Sequence, residues 1–209
     1  MTEIELVGID ADDTLWQSET FFAEVEEKFT ELMSKYSSDT SLEESLSSNE
    51  ISNLRVFGYG VKEINLSWIE TAHLASGGNI ASSDIKQIIS WGKELLEHPV
   101  ILLDGVEEAI RELASNFTVY IVTKGDLLHQ RSKIEDSGLD KLVAGFDIFH
   151  EKDPESYLDF LTEKNVDPKN FLMAGNSLRS DVLPIVAIGG LSLIHISEPT
   201  RPLYISYAV

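Results

Sequence analysis

The residues whose types and spacing best suit a chemical reaction lie near the start of the chain, where two acids are separated by a single residue. Asp10 and Asp12 directly follow the apolar run 4–9, which is typical of a buried strand. Carboxylates at this spacing after a strand point into the same cleft. They can share a hard cation, and one can attack phosphorus while the other moves a proton. The pair therefore predicts chemistry on a phosphoryl group.

Further candidate residues follow three later runs that are predicted as strands from their β-branched and aromatic content. Together with the first strand, at 1–10, the predicted strands lie at 117–122, 144–149 and 171–174. The polar residues that follow the later strands are Thr123, Lys124, Gly125, Lys152, Asn176 and Asp181. The four strand ends thus form one predicted constellation.

Helices that alternate with these strands supply the elements that position the constellation. Apolar periodicity predicts helices at 106–113, 127–137, 154–164 and 181–188. Asp153 is the expected N-cap of the third of these, and Gly138 is expected to end the second. Alternation of strands and helices predicts a parallel sheet with right-handed crossovers. Ligands bind such sheets at the carboxyl ends of the strands.

The segment between the first and second strands, residues 17–99, is predicted to be a helical insert at the same end of the sheet. Its predicted helices lie at 21–33, 64–74 and 85–96. The stretch Ser37–Ser48 is rich in Ser, Asp and Glu and is predicted to be a loop. Trp68 in the second helix is interpreted either as part of the core of the insert or as a substrate contact.

Asp10–Thr14 resembles the DxDxT signature of the haloacid dehalogenase-like (HAD) hydrolases. The later candidates match the order and spacing of the other HAD motifs, and the resemblance covers residues 4–15 and 100–190. It implies a Rossmann-like three-layer α/β core with a parallel sheet, formed by residues 1–16 and 100–190. Residues 17–99 resemble the small helical cap that one HAD subgroup carries after the first strand.

The resemblance implies a role for each candidate residue. Asp10 would be the nucleophile that forms an aspartyl-phosphate, and Asp12 would be the general acid and base. The other catalytic residues implied are Thr123 and Lys152, and the implied substrate-binding residues are Thr14, Lys124 and Gly125. A Mg²⁺ site is implied at Asp10, Asp12 (through its backbone carbonyl), Asn176 and Asp181. Many relatives have Asp at the position of Asn176, whose amide oxygen carries no formal charge.

The expected function is magnesium-dependent hydrolysis of a small phosphate monoester through an aspartyl-phosphate. A haloacid dehalogenase is an alternative, but the position of Asp12 is not acidic in those enzymes, because a halide leaves without a proton. A non-catalytic phosphate- or metal-binding module is another alternative, and Asn176 is the site residue that favours it.

The charge and composition restrict the partners that are expected. The formal net charge is −20, which disfavours nucleic acids and anionic membranes as partners, because both require a basic surface. The chain has no cysteine, which excludes disulfides and thiolate metal sites. We expect a cytoplasmic protein whose partner is a small phosphorylated metabolite. The sequence leaves the oligomeric state open.

The last residues, Leu191–Val209, resemble translated sequencing-adapter DNA. Residues 191–201, LSLIHISEPTR, match the translation of a transposase adapter. Our hypothesis is that the natural reading frame was lost near Gly190 and that the tail is non-native. Residues 191–196 nevertheless alternate as a strand would and are predicted to fill the position of one more strand in the sheet.

Overall fold

The computed structural model describes residues 3–36 and 42–194. Contacts between residues divide the chain into two compact units. The first, which we call the core unit, comprises residues 1–17 and 100–209, and the second, the helical unit, comprises residues 18–99.

Five parallel strands form the sheet of the core unit, in the spatial order β3-β2-β1-β4-β5. In chain order they are β1 (Leu6–Ile9), β2 (Thr118–Lys124), β3 (Gly145–Phe149), β4 (Phe171–Gly175) and β5 (Leu191–Ile194). The central strand β1 pairs with β2 on one side and with β4 on the other. The chain therefore winds first toward β3 and then returns to the other side of β1, and the switch point lies beside β1. Parallel α/β sheets bind ligands at such a point.

Helices pack on the two faces of this sheet and give the three-layer α/β architecture. Val7 and Ile9 belong to one apolar cluster, which includes Ile110 and Ile134 from two of the helices. Leu6, the neighbour of Val7, belongs to the other cluster, because successive strand residues point to opposite faces. The helices of the core unit are α5 (Val106–Asn116), α6 (Leu127–Ser137), α7 (Pro154–Lys164) and α8 (Leu183–Ala187).

The predicted helix ends of α6 and α7 are confirmed. Asp153 caps α7, because its side chain accepts a hydrogen bond from the backbone N–H of Ser156 at 2.8 Å. Gly138 ends α6 in the left-handed conformation, with φ of 73°, which glycine adopts without steric cost.

The helix expected at 181–188 is divided in the structure. A π-helical turn spans Leu178–Val182, and α8 begins only at Leu183. Pro184 lies in the first turn of α8, where the missing N–H of proline costs nothing. The prediction of a single helix from Asp181 is therefore wrong, and Asp181 lies in the π-helical turn.

In the described part of the helical unit, four helices pack around one apolar core. They are α1 (Glu19–Met33), α2 (Leu42–Phe57), α3 (Val61–Ala75) and α4 (Ser82–Leu96). Trp68 is fully buried in this core and stacks on Phe29, with ring centroids 5.6 Å apart. The interpretation of Trp68 as a core residue of the insert is therefore confirmed.

The loop predicted at Ser37–Ser48 is wrong from Leu42 onward, where α2 begins. Leu42, Leu46 and Glu50 recur every four residues and place Leu46 and Glu50 on a buried face. Glu43 and Glu44 lie in the first turn, where negative charge stabilises a helix. The serines between Leu42, Leu46 and Glu50 obscure this four-residue repeat in the sequence. Residues 37–41 of the predicted loop lie outside the described residues.

The strand predicted at the start of the tail is confirmed for Leu191–Ile194, which pair with β4 in parallel register. The rest of the tail lies outside the described residues. No helix in the described ranges is long and apolar enough to cross a membrane.

Candidate active site

Asp10 lies at the carboxyl end of the central strand and continues its ladder. Its backbone N–H donates to the carbonyl oxygen of Ala174 on β4 at 2.8 Å. Its carboxylate accepts hydrogen bonds from Lys152 and, at 3.3 Å, from the Thr14 hydroxyl. Burial raises the pKa of Asp10 to about 6, although Lys152 acts in the opposite direction. The Lys152 ammonium group therefore favours the ionised form of Asp10, the form that can act as a nucleophile, against the effect of burial.

Lys152 joins Asp10 to the loop that follows β4. Its Nζ lies 2.7 Å from Oδ1 of Asp181 and also contacts Oδ1 of Asp10. Lys152 and Asp181 are both buried. Burial alone would lower the pKa of Lys152, but the negative groups around it, Asp10 first and Asp181 among the others, together outweigh burial and raise the pKa above its ordinary value. One ammonium group thus holds two carboxylates at the end of the sheet.

The loop after β4 is shaped around the Asp181 carboxylate. Oδ2 of Asp181 accepts a hydrogen bond from the backbone N–H of Ser177 at 3.0 Å. A Cβ atom at Gly175 would lie 2.3 Å from the same oxygen, so only glycine fits there. The Tyr157 hydroxyl donates to the carbonyl oxygen of Ser180 at 3.1 Å and ties this loop to α7.

Asp12 points toward a different set of partners. Its Oδ1 accepts hydrogen bonds from Trp16 Nε1 at 2.8 Å and from Lys133 Nζ at 2.5 Å, and its Oδ2 accepts one from Gln130 Nε2 at 2.8 Å. Burial would raise the pKa of Asp12, but the nearby Lys133 charge and these hydrogen bonds outweigh it and lower the pKa. The next residue, Asp13, adopts the left-handed conformation, with φ of 58°, so it serves the turn.

The end of β2 carries the second predicted group of site residues. The Thr123 hydroxyl is buried and accepts a hydrogen bond from Gln130 Nε2 at 2.8 Å. Lys124 Nζ lies 2.9 Å from a carboxylate oxygen of Glu151. Gly125 has φ of 143°, a conformation that side chains rarely adopt.

A magnesium ion is compatible with part of the predicted ligand set. Asp10 and Asp181 both contact Lys152. The Asp12 carboxylate is bonded instead to Trp16, Gln130 and Lys133. In the described parts of the chain, no three acidic or histidine side chains cluster closely enough to hold a metal. The half-buried Asn176, which follows β4, makes no side-chain hydrogen bond to any described residue. Two carboxylates with neutral oxygen ligands suit Mg²⁺, because that ion retains several waters.

The sequence reasoning missed the residues that hold Asp12, which are Trp16, Gln130 and Lys133. Gln130 and Lys133 are three residues apart on α6, so they share one helix face. That helix begins three residues after Lys124. This spacing was the signal in the sequence, but it identifies no partner 118 or 121 residues away.

The structure thus defines a three-layer α/β protein with two carboxylates and a lysine in contact at the carboxyl ends of its strands, and comparison with known proteins specifies the family. The sequence profile of haloacid dehalogenase-like hydrolases matches residues 4–189. The chain belongs to this family.

Solved structures of the family resemble this chain to different degrees. A haloacid dehalogenase-like family hydrolase from Xanthomonas campestris is 43% identical, with a TM-score of 0.87, over 91% of this chain and 81% of that one. The HAD-hydrolase YfnB from Bacillus subtilis, bound to magnesium, is 20% identical, with a TM-score of 0.65, over 96% of this chain and 91% of that one. A 2-haloacid dehalogenase from Pseudomonas syringae is 17% identical, with a TM-score of 0.64, over 95% and 91%. No curated protein matches the chain.

Proposed function

We propose that this protein is a phosphatase that hydrolyses a small phosphate monoester through an aspartyl-phosphate on Asp10. The observation that carries the proposal is the second acid. Asp12 lies two residues beyond Asp10, and its half-buried carboxylate is held by directed hydrogen bonds. An alkoxide leaving group requires a proton, whereas a halide does not. A positioned second acid therefore favours phosphate ester hydrolysis over carbon–halogen cleavage.

In the first step, Asp10 attacks phosphorus and the bond to the leaving oxygen breaks. Asp12 gives that oxygen its proton. Thr123 and the neighbouring backbone amides bind the phosphoryl oxygens, and Lys152 offsets negative charge on Asp10 and the transferring group. Asp12 is ionised in the resting site because its pKa is lowered. It must therefore first take up a proton from solvent water, and the arriving phosphate dianion favours this uptake by raising the pKa of a nearby carboxyl.

In the second step, Asp12 takes a proton from water, and the water oxygen attacks phosphorus. The bond between phosphorus and Asp10 breaks, so phosphate leaves and the Asp10 carboxylate is restored. The lowered pKa of Asp12 keeps it in the form that can accept the proton.

The proposal includes Mg²⁺, held by Asp10, Asp181, Asn176 and the backbone carbonyl of Asp12. Bound magnesium would screen the repulsion between the Asp10 carboxylate and the phosphate dianion. The relative YfnB, which binds magnesium, supports this part of the proposal. We also propose that the helical unit is a cap that selects the substrate, a phosphorylated metabolite of the cytoplasm.

The test is hydrolysis of p-nitrophenyl phosphate by the purified chain, with Mg²⁺ and with a chelator, beside Asp10→Asn. We expect magnesium-dependent turnover that falls by about 10³-fold or more in the variant. Release of halide from 2-chloropropionate, with no turnover of the phosphate ester, would contradict the proposal and favour the dehalogenase. A folded chain that turns over neither compound would favour the binding module.

A further inference from the structure

Beside Trp16, two residues of α6 that no part of the proposed mechanism uses hold the Asp12 carboxylate. Gln130 Nε2 donates to Oδ2 of Asp12 at 2.8 Å, and Lys133 Nζ lies 2.5 Å from Oδ1. Both residues are largely shielded from solvent, with Gln130 only 3% exposed and the Lys133 side chain 13% exposed. The carboxylate is thus held at both oxygens from one helix face.

Gln130 also contacts the phosphate-binding end of β2. The same Nε2 atom lies 2.8 Å from the Thr123 hydroxyl and 3.2 Å from the carbonyl oxygen of Lys124. A single buried amide therefore fixes the distance between Asp12 and Thr123. These two groups come from strands that are neighbours in the sheet but distant in sequence.

We propose that Gln130 and Lys133 are positioning residues that hold the Asp12 carboxylate at a set distance from Thr123. A phosphate seated on Thr123 then has its leaving oxygen beside Asp12. The inference rests on the proposed phosphatase function. An aspartate side chain has two free torsions, and without these two donors the Trp16 Nε1 bond to Oδ1 would still allow the carboxylate to turn away from the productive rotamer. Small displacements of a catalytic group cost large factors in rate.

This role predicts a selective defect that depends on the leaving group. When the bond between phosphorus and the leaving oxygen breaks, the electron pair stays on that oxygen, and Asp12 supplies the proton. p-Nitrophenolate is stable as an anion and depends little on that proton. Phenolate is more basic and depends on it more. Displacement of Asp12 should therefore lower kcat/KM more for phenyl phosphate than for p-nitrophenyl phosphate. General damage to the fold should lower kcat/KM for both esters by the same factor.

The experiment measures kcat/KM for both esters with Mg²⁺, because kcat/KM reports the first phosphoryl transfer. The variants are Gln130→Met and Lys133→Met, which keep most of the side-chain volume and remove the donors. We expect phenyl phosphate to lose about 10-fold or more beyond the loss for p-nitrophenyl phosphate. Ser132→Ala is the matched control, since Ser132 is exposed on the same helix and its hydroxyl donates to Asp136 rather than to Asp12.

Equal losses for the two esters, or no loss for either, in folded variants of an active wild type would overturn this inference alone. If both variants fail to fold by circular dichroism, the two residues are structural and the inference is also overturned. If the wild type hydrolyses neither ester, the proposed function fails and the inference fails with it.

Discussion

At the scale of single residues, two carboxylates two positions apart have opposite environments. Asp10 is buried beside one lysine, and its pKa is raised to about 6. Asp12 has three donors, and its pKa is lowered. Separation of pKa values by environment is how neighbouring acids acquire different roles. Here Lys152 favours the ionised form of Asp10 that can attack, and the donors around Asp12 favour the ionised form that can act as a base.

Lys152 is the residue that compensates most buried charge in the site, because its ammonium group lies between the buried carboxylates of Asp10 and Asp181. We predict that Lys152→Met abolishes turnover and lowers the free energy of unfolding by about 3 kcal/mol, because it leaves uncompensated buried charge. Urea unfolding at neutral pH without added metal measures the effect.

Lys169→Met is the control for that measurement. Lys169 pairs with Asp167 on the surface, and exposed pairs contribute little, so we expect no measurable change. A Lys152→Met protein as stable as the wild type would show that the two carboxylates do not depend on this ammonium group.

The sequence predicted the order of the site residues along the chain but not all of their contacts. Asp10, Thr123, Lys152 and Asp181 follow predicted strands, and parallel topology brings such positions to one edge. The network around Asp12 could not be predicted in this way. Gln130 and Lys133 lie inside a helix, and nothing in local periodicity shows which helix face meets the β1 loop.

At the scale of elements, α2 begins in a stretch that the sequence predicted to be a loop. Its serines and acids suggested a loop, but tertiary packing of Leu46 decides the outcome, as packing commonly overrides local propensity. The same face buries Glu50, whose Oε1 has no hydrogen-bond partner among the described residues. Burial, together with the nearby charges of Glu26 and Glu63, raises the pKa of Glu50 to about 8.

The raised pKa of Glu50 predicts a pH-dependent cost within the helical unit. Below pH 4.5, the ordinary pKa of this glutamate, the side chain is protonated in both states and costs nothing. As the pH rises to about 8, the unfolded chain ionises more readily than the folded one, and stability falls. We therefore expect Glu50→Gln to be more stable than the wild type by about 2–4 kcal/mol at high pH, and nearly equal near the ordinary pKa.

Unfolding free energies measured across this pH range test the prediction. Glu44→Gln, an exposed change on the same helix, should follow the wild-type curve. Parallel curves for the wild type and Glu50→Gln would contradict the account of Glu50.

At the scale of the whole molecule, one sheet brings together reactive side chains from positions that span most of the chain. Residues 6 to 9 form the central strand, and the switch of direction beside it places Asp10 between groups from β2 and from the β4 loop. The sequence predicted this arrangement because each strand ends in polar residues. It predicted the edge strand β5 from alternation alone, although its residues resemble adapter sequence. Backbone pairing with β4 requires little of the side chains, which explains how such a segment fits.

The central claim is that Asp10 forms a covalent bond to phosphorus. The direct test uses Asp12→Asn, which should slow hydrolysis of the intermediate more than its formation from p-nitrophenyl phosphate, a substrate with a good leaving group. The variant is mixed with this substrate and Mg²⁺, quenched in acid, digested and analysed by mass spectrometry. We predict a burst of p-nitrophenol and a phosphate on the peptide at Asp10. Release of p-nitrophenol without phosphate on Asp10, or phosphate on another residue, would contradict the account.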